Sequence, residues 1–346
     1  MIDPGVQRYA LLALTSAFLF GAAAPAVKPI AAAMHPVLLA GLLYLGSFLG
    51  LACVRSFRRG DEARLQRRDV PMLAGAIAAG GLMAPVLLVW GLSALAASAA
   101  SLLLASEAVF TMLLAALLFR EAIAARVWIA AVLILGAAGI LAWTPDLSVP
   151  VSLHALAVLA ACLLWGLDNN LTARISLADP FAIAMWKGLV AGSVNTALGL
   201  ALVYAVPAAS WLVALAIGAI GYGASLVLYV LALRHLGTAR TAAHFGTAPF
   251  FGAALAVAFL GEPLSATLVA AFVMTGAATW LALTERHGHA HDHEAMEHEH
   301  RHVHDEHHQH AHRGDEGPEP HSHAHRHEPL RHRHAHFPDL HHRHRH

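Results

Sequence analysis

Residues 102–121 read LLLASEAVFTMLLAALLFRE, an apolar run with one acid, Glu107, set inside it. An α-helix rises about 1.5 Å per residue, so about 20 apolar residues cross the hydrocarbon core of a bilayer. A charged side chain at that depth costs roughly 3 kcal/mol on insertion scales, and chains retain one mainly where it faces a bundle interior or an aqueous cavity. The stretch therefore predicts one helix of a membrane bundle, with a cavity built around Glu107.

Composition points the same way. The chain is 58% hydrophobic and 13% charged, against about 25% charged in a soluble domain. Its zero net charge hides two unlike parts. Residues 287–346 hold 7 arginines, 11 acids and 23 of the 27 histidines, for −4 with neutral imidazoles, while the remainder carries +4. Cys53 and Cys162 both fall in apolar segments and read as small hydrophobes rather than a disulfide framework. The chain opens Met1-Ile2-Asp3-Pro4 and runs straight into a full-length span, so the first helix is expected to stay as a signal anchor.

Outward from residues 102–121 the sequence divides into ten apolar segments, near 9–28, 37–55, 71–91, 97–119, 126–143, 153–173, 181–204, 211–233, 241–260 and 264–283. Basic residues in alternate connections set orientation. One side receives Arg8, the cluster Arg55, Arg58, Arg59, Arg64, Arg67 and Arg68, then Arg120, Arg126, Arg174, Arg234, Arg240 and Arg286; the other receives Lys28, at a helix end. Both termini are then cytoplasmic, and the span number is even.

The halves also resemble each other. Phe119-Arg120-Glu121 matches Leu260-Gly261-Glu262 at an offset of 141, which also aligns Phe110 with Phe251 and Gly80 with Gly221. Pro36 matches Pro180 at 144, and Phe20-Gly21 matches Trp165-Gly166 at 145. Five spans per half is an odd number, so the second half inserts upside down, an arrangement found in transporters with a site near the repeat interface.

On these residues the chain resembles the EamA-type members of the drug/metabolite transporter superfamily, over about residues 8–285. The carrying pieces are Phe20-Gly21, Leu164-Trp165-Gly166, the Ala-Ser-rich stretch Ala96 to Ser101, and the pattern from Pro249 through Ala254 to Leu260-Gly261-Glu262, repeated as Ala108 through Leu114 to Phe119-Arg120-Glu121. The resemblance implies an all-α integral membrane protein with ten transmembrane helices in two inverted five-helix repeats, residues 1–146 and 147–286. It implies a central cavity, alternating access, and small organic solutes as substrates across the inner membrane. The chain departs from the pattern at Glu107-Ala108, where the second half has Ala248-Pro249, so the halves should carry unequal central sites. The tail, 287–346, lies outside the pattern.

Candidate site residues follow from cost. Glu107 suits a proton carrier or a partner for a cationic substrate; the competing reading is a structural acid tied to a neighbouring Ser or Arg. Asp168, Asn169 and Asn170 spread over about 200° of a helix, so at least one meets a cavity or another helix. Lys187 is placed to pair with Asp168, as a structural ion pair or a substrate group. His244 is read as entering the ninth span and Lys28 as snorkelling to the outer interface. His35, His154 and His235 read as loop or interface residues. Gly80, Gly81 and Pro85, with Gly218, Gly221 and Gly223, permit close helix contact and bending, and Pro249, inside the ninth span, is a further hinge position. Trp90, Trp128, Trp143, Trp211 and Trp280 fit interfacial anchors.

The tail has few apolar residues to bury and is expected to be disordered. Its His287, His289, His291, His293, His298, His300, His302, His304, His307 and His308 are candidate ligands for Ni²⁺, Zn²⁺, Co²⁺ or Cu²⁺. No Walker phosphate loop, nucleophile elbow or metalloprotease helix is present, and the arginine cluster between spans fits the positive-inside rule rather than nucleic acid. The expected function is secondary transport, in the export direction, of small metabolites or drugs, with proton coupling through Glu107 and no required cofactor. The alternatives are divalent metal efflux, with the tail as collector, and a non-transporting membrane metal sensor. The expected partners are the lipid bilayer and a small-molecule or ion substrate.

Overall fold

The computed structural model describes residues 4–57, 65–119, 125–143, 152–176, 178–202, 208–284, 288–293, 296–302, 321–327 and 330–335. Arg58, Arg59, Arg64, Arg120, Glu121, Arg286, His287, His304, His307 and His308 lie outside them.

The first repeat contains α1 (Pro4–Ala31), α2 (Pro36–Phe57), α3 (Arg67–Ala94), the short α4 (Ala97–Leu103), α5 (Ser106–Phe119) and α6 (Ala125–Ala142). The second contains α7 (Leu153–Ile175), α8 (Pro180–Leu202), α9 (built from Ala208–Ile217, Gly218–Ala224 and Ser225–Phe245), α10 (Ala248–Leu260) and α11 (Ala266–Leu283). Among the described residues, seven helical segments are long and apolar enough to cross a membrane, and three shorter apolar helices cover Arg126–Ala142, Ala248–Leu260 and Ala266–Leu281. Large apolar side chains such as Leu117, Val132, Leu212 and Phe259 are exposed on the outside of the body. So apolar an exterior is a surface for lipid.

Two elements differ from the sequence expectation. The fourth apolar segment is broken at Leu104-Ala105, so Glu107 sits in the first turn of a new helix, α5. The expected ninth span loses its first residues to α9, which runs unbroken to Phe245 and places His244 in its last turn. The physical cause is Pro249. It lies in the first turn of α10, where a missing N–H costs nothing, so the helix restarts there after Gly246-Thr247 rather than at residue 241.

Both α3 and α9 contain a π-helical turn, over Ile77–Met83 and Gly218–Ala224, again 141 residues apart. Helix pairing is two-fold related as well. Helix α2 packs on α8 and α6 on α11, while α1 packs on α9 and α10 as α7 packs on α3 and α5. The tight contacts use one device twice. A Cβ on Gly21 would come within 3.2 Å of the Phe251 Cβ, and one on Gly166 within 3.1 Å of the Phe110 Cβ. Phe110 and Phe251 are the pair matched at offset 141.

In the tail, β1 (Gly288–His293) pairs antiparallel with β4 (Leu330–Ala335), and β2 (Met296–His302) with β3 (His321–His327). This corrects the expectation of disorder for those four segments. The His-x-His alternation has a period of two, which a ladder accommodates, although an isolated two-stranded pair is marginally stable in water.

Candidate functional site

Helix α7 supplies the centre of the bundle. Its Asp168 accepts from Lys187 Nζ on α8 at 2.5 Å and from Thr172 Oγ1, one turn on, at 2.9 Å; Lys187 Nζ also donates to Thr172 Oγ1 at 3.0 Å. Both charged side chains are buried, so each offsets the other's desolvation. Asn170 faces a different neighbour, donating to the carbonyls of Thr111 (2.9 Å) and Gly166 (2.8 Å), which ties α7 to α5. Asn169 lies between these directions. Its Nδ2 donates to Glu107 Oε1 at 2.8 Å and to Thr111 Oγ1 at 3.3 Å. The three polar residues thus diverge as their helical spacing requires.

Glu107 is 8% exposed. Two cavities meet at it. One, of about 460 Å³ of empty volume, is lined by Ser101, Thr111 and Pro249 among others; the second, of about 560 Å³, reaches Tyr44, Asp168 and Lys187. Phe20, Glu107, Asn169, Tyr229 and Phe245 line both. The Asp168 carboxylate is matched by an ammonium, whereas among the described residues the side-chain donor to Glu107 is the neutral amide of Asn169. Among the described residues the site therefore holds one acid in an ion pair, Asp168, and one outside any ion pair, Glu107.

Aromatic rings make most of the wall. Phe20 meets Trp165 edge-on at 5.7 Å between centroids, Tyr222 at 5.8 Å and Phe245 at 5.3 Å; Tyr44 lies 5.5 Å from Tyr222, and Tyr229 lies 4.8 Å from Phe245. The π turn of α3 anchors two of them. Tyr44 Oη and Trp165 Nε1 both donate to the Gly80 carbonyl, at 2.6 and 3.0 Å. A Cβ on Gly80 would strike the Asp168 carboxylate, which explains glycine at that position. Gly81 packs on Ala191, while Pro85 and Gly221 are buried in α3 and α9.

The structure thus places Glu107 and Asn169 where the two cavities meet, with Pro249 lining the first and Asp168 and Lys187 the second. His244 is not among the cavity-lining residues, although its neighbour Phe245 is. Tyr44, Tyr222, Tyr229 and Phe245 were missed by sequence reasoning. Their signal was position, since the three tyrosines fall inside apolar runs rather than at span ends. At the end of α1, Lys28 Nζ donates to the carbonyls of Leu92 and Leu95 at 2.7 and 2.6 Å. Cys162 is buried as expected and Cys53 is exposed, both as free thiols. Among the described residues no group of three or more His, Cys, Asp or Glu is placed to hold a metal ion. His289, His291, His293, His298, His300 and His302 lie on β1 and β2, where the backbone pairing is described.

Comparison with known proteins agrees with this architecture. The model of the EamA-like transporter family matches twice, over residues 7–143 and 152–284. A curated relative from Methanothermobacter thermautotrophicus, named an uncharacterized transporter, is 30% identical over 271 residues, covering 73% of this chain and 79% of its own. A crystal structure of 19% identity superposes with a TM-score of 0.60 over 80% of this chain and 95% of its own, a likeness of fold. The chain is thus a multi-pass membrane transporter and not an enzyme, and it belongs to the EamA-like transporter family.

Proposed function

We propose that this protein is a secondary exporter of small organic metabolites or drugs, working by alternating access and coupled to protons through Glu107. The observation that carries the reading is the Glu107 carboxylate, in no ion pair among the described residues, at the junction of two aromatic-walled cavities. An acid so placed exchanges a proton against solute as the cavity changes the side it faces. Lys187 and Asp168 hold the far wall and present a second polar surface to the solute. All ten apolar helices cross the inner membrane in this reading, as two inverted five-helix repeats with both termini in the cytoplasm. The arginine asymmetry supports that orientation.

The test is tolerance to a panel of toxic organic solutes in cells producing the full chain or Glu107→Gln, followed by flux in vesicles with an imposed pH gradient. The parent confers tolerance to at least one solute, and its flux follows the gradient. Glu107→Gln loses gradient-driven flux by about 100-fold or more, 100-fold being the lower end of the range for one positioned proton-transfer group. Full gradient-driven flux in Glu107→Gln refutes the coupling role.

A second reading concerns divalent metal on the tail, and strand register favours it. His289 stands opposite His334 and His291 opposite His332, while His298, His300 and His302 stand opposite His325, His323 and His321. Imidazole suits Ni²⁺, Co²⁺, Zn²⁺ and Cu²⁺. Ni²⁺ titration of the full chain against a chain ending at Arg286 tests it, with binding expected in the full chain alone. Ni²⁺ tolerance conferred by the full chain and lost in the shortened one points to metal efflux.

A further inference from the structure

Between α3 and α4 the backbone leaves helical geometry for two residues, Leu95 (φ −82°, ψ 152°) and Ala96 (φ −58°, ψ 140°). One helix ends and another begins there, and helix ends expose carbonyls on one side and amides on the other that lack intrahelical partners. Side chains from elsewhere in the chain supply them. Lys28 Nζ, in the last turn of α1, donates to the Leu92 and Leu95 carbonyls at 2.7 and 2.6 Å. Glu262, between α10 and α11, accepts from the Ala97 amide through Oε1 at 2.6 Å and from the Ser98 amide through Oε2 at 2.8 Å. The signs match the helix dipoles, with the cation at a C-terminus and the anion at an N-terminus.

The two partners come from different repeats. Lys28 belongs to the first and Glu262 to the second, so the α3–α4 turn is held to both halves of the molecule at once. The second repeat does not copy the arrangement. At offset 141, Leu95-Ala96 corresponds to Leu236-Gly237, which continues as unbroken helix inside α9. Two repeats with paired π turns and paired close contacts therefore differ in conformation at this point. A carrier whose halves exchange roles must hold its repeats in different conformations in any one state.

We infer that Lys28 and Glu262 are positioning residues of the transport cycle: a two-ended clamp that holds the α3–α4 turn against the α10–α11 connection and releases when the adjacent mouth opens. Neither residue lines either cavity, so the clamp acts on the path to the site rather than on the solute. In the orientation proposed above the clamped mouth is the outer one. The inference rests on the transport reading, and its test reads distances rather than flux.

Spin labels on the exposed Ala94 and Leu264 flank the clamp, and labels on the exposed Val132 and Val273 report the α6–α11 pair as a control. The background carries Cys53→Ala and Cys162→Ala, and the full chain is held in lipid nanodiscs for double electron–electron resonance. The parent gives one dominant short distance at Ala94–Leu264. Lys28→Met and Glu262→Gln each add a longer population, raising the open-to-closed ratio about tenfold or more, the loss expected for hydrogen bonds to a charged group. Lys28→Arg, which still donates to both carbonyls, keeps the parent distribution. The control pair stays unchanged throughout. Unchanged Ala94–Leu264 distances in both Lys28→Met and Glu262→Gln overturn the clamp, and so does equal broadening of the control pair. If the clamp distances respond while no solute moves in the tolerance and flux tests, the transport reading fails and the clamp stands.

Discussion

The Asp168–Lys187 pair and Glu107 show two ways of keeping charge inside an apolar bundle. Asp168 and Lys187 meet at 2.5 Å with Thr172 beside both, while Glu107 faces open space with a neutral amide as its donor. Removing one member of a buried pair leaves the other uncompensated, at about 3–5 kcal/mol, whereas removing both costs far less. Lys187→Met should therefore lower the thermal midpoint of the purified protein strongly, and Lys187→Met with Asp168→Asn should recover most of the loss. A double variant as unstable as the single one would mean that the pair is not what burial there depends on. These residues were legible in the sequence because an ionisable group in an apolar run is an anomaly with a known cost. Tyr222 and Tyr229 were not, because an aromatic ring inside such a run breaks no rule until a neighbour faces it. Lys28 was only partly legible for a related reason: sequence shows a cation near a helix end, not the two carbonyls within its reach.

At the scale of elements, the π turns of α3 and α9 set the central geometry. The sequence marked Gly80, Gly81 and Gly221 as places of close contact, and Gly80 does meet α7. It could not show that the turn is π-helical, since Ile77–Met83 reads IAAGGLM, with no polar residue to mark a face or a period. Gly80→Ala places two effects in opposition. Alanine gains about 1 kcal/mol of helix propensity over glycine, while overpacking a filled site costs about 1–3 kcal/mol. The Asp168 carboxylate that the new methyl would strike is fixed by Lys187 and Thr172 and cannot move aside, so the clash wins. Gly80→Ala should lower the midpoint. Gly139→Ala in α6, where a Cβ meets nothing within 4 Å, should leave it unchanged or raise it. Equal losses in the two variants would refute the packing argument.

Over the whole molecule, the two repeats and the tail are separable on physical grounds. The duplication was readable from offsets of 141 to 145 residues, because the same helix contacts must be built twice from the same small residues. The tail was read by composition alone, which counts apolar residues and is blind to the register that period-two histidines give a ladder. Its strands pair with one another, β1 with β4 and β2 with β3, and the family match ends at residue 284, before they begin. The apolar cores lie among the helices, from Ala13 in α1 to Ala278 in α11. A chain ending at Arg286 should therefore keep the thermal midpoint of the full protein and its flux of any organic solute, while losing the binding of added Ni²⁺. The full chain should also gain stability with Ni²⁺ only if metal binds the folded form in preference to the unfolded one. Histidines that ligate equally well in an unfolded tail give no such gain. A midpoint that falls on truncation in metal-free buffer would show that the tail braces the helical body, and the separation of the two would then be wrong.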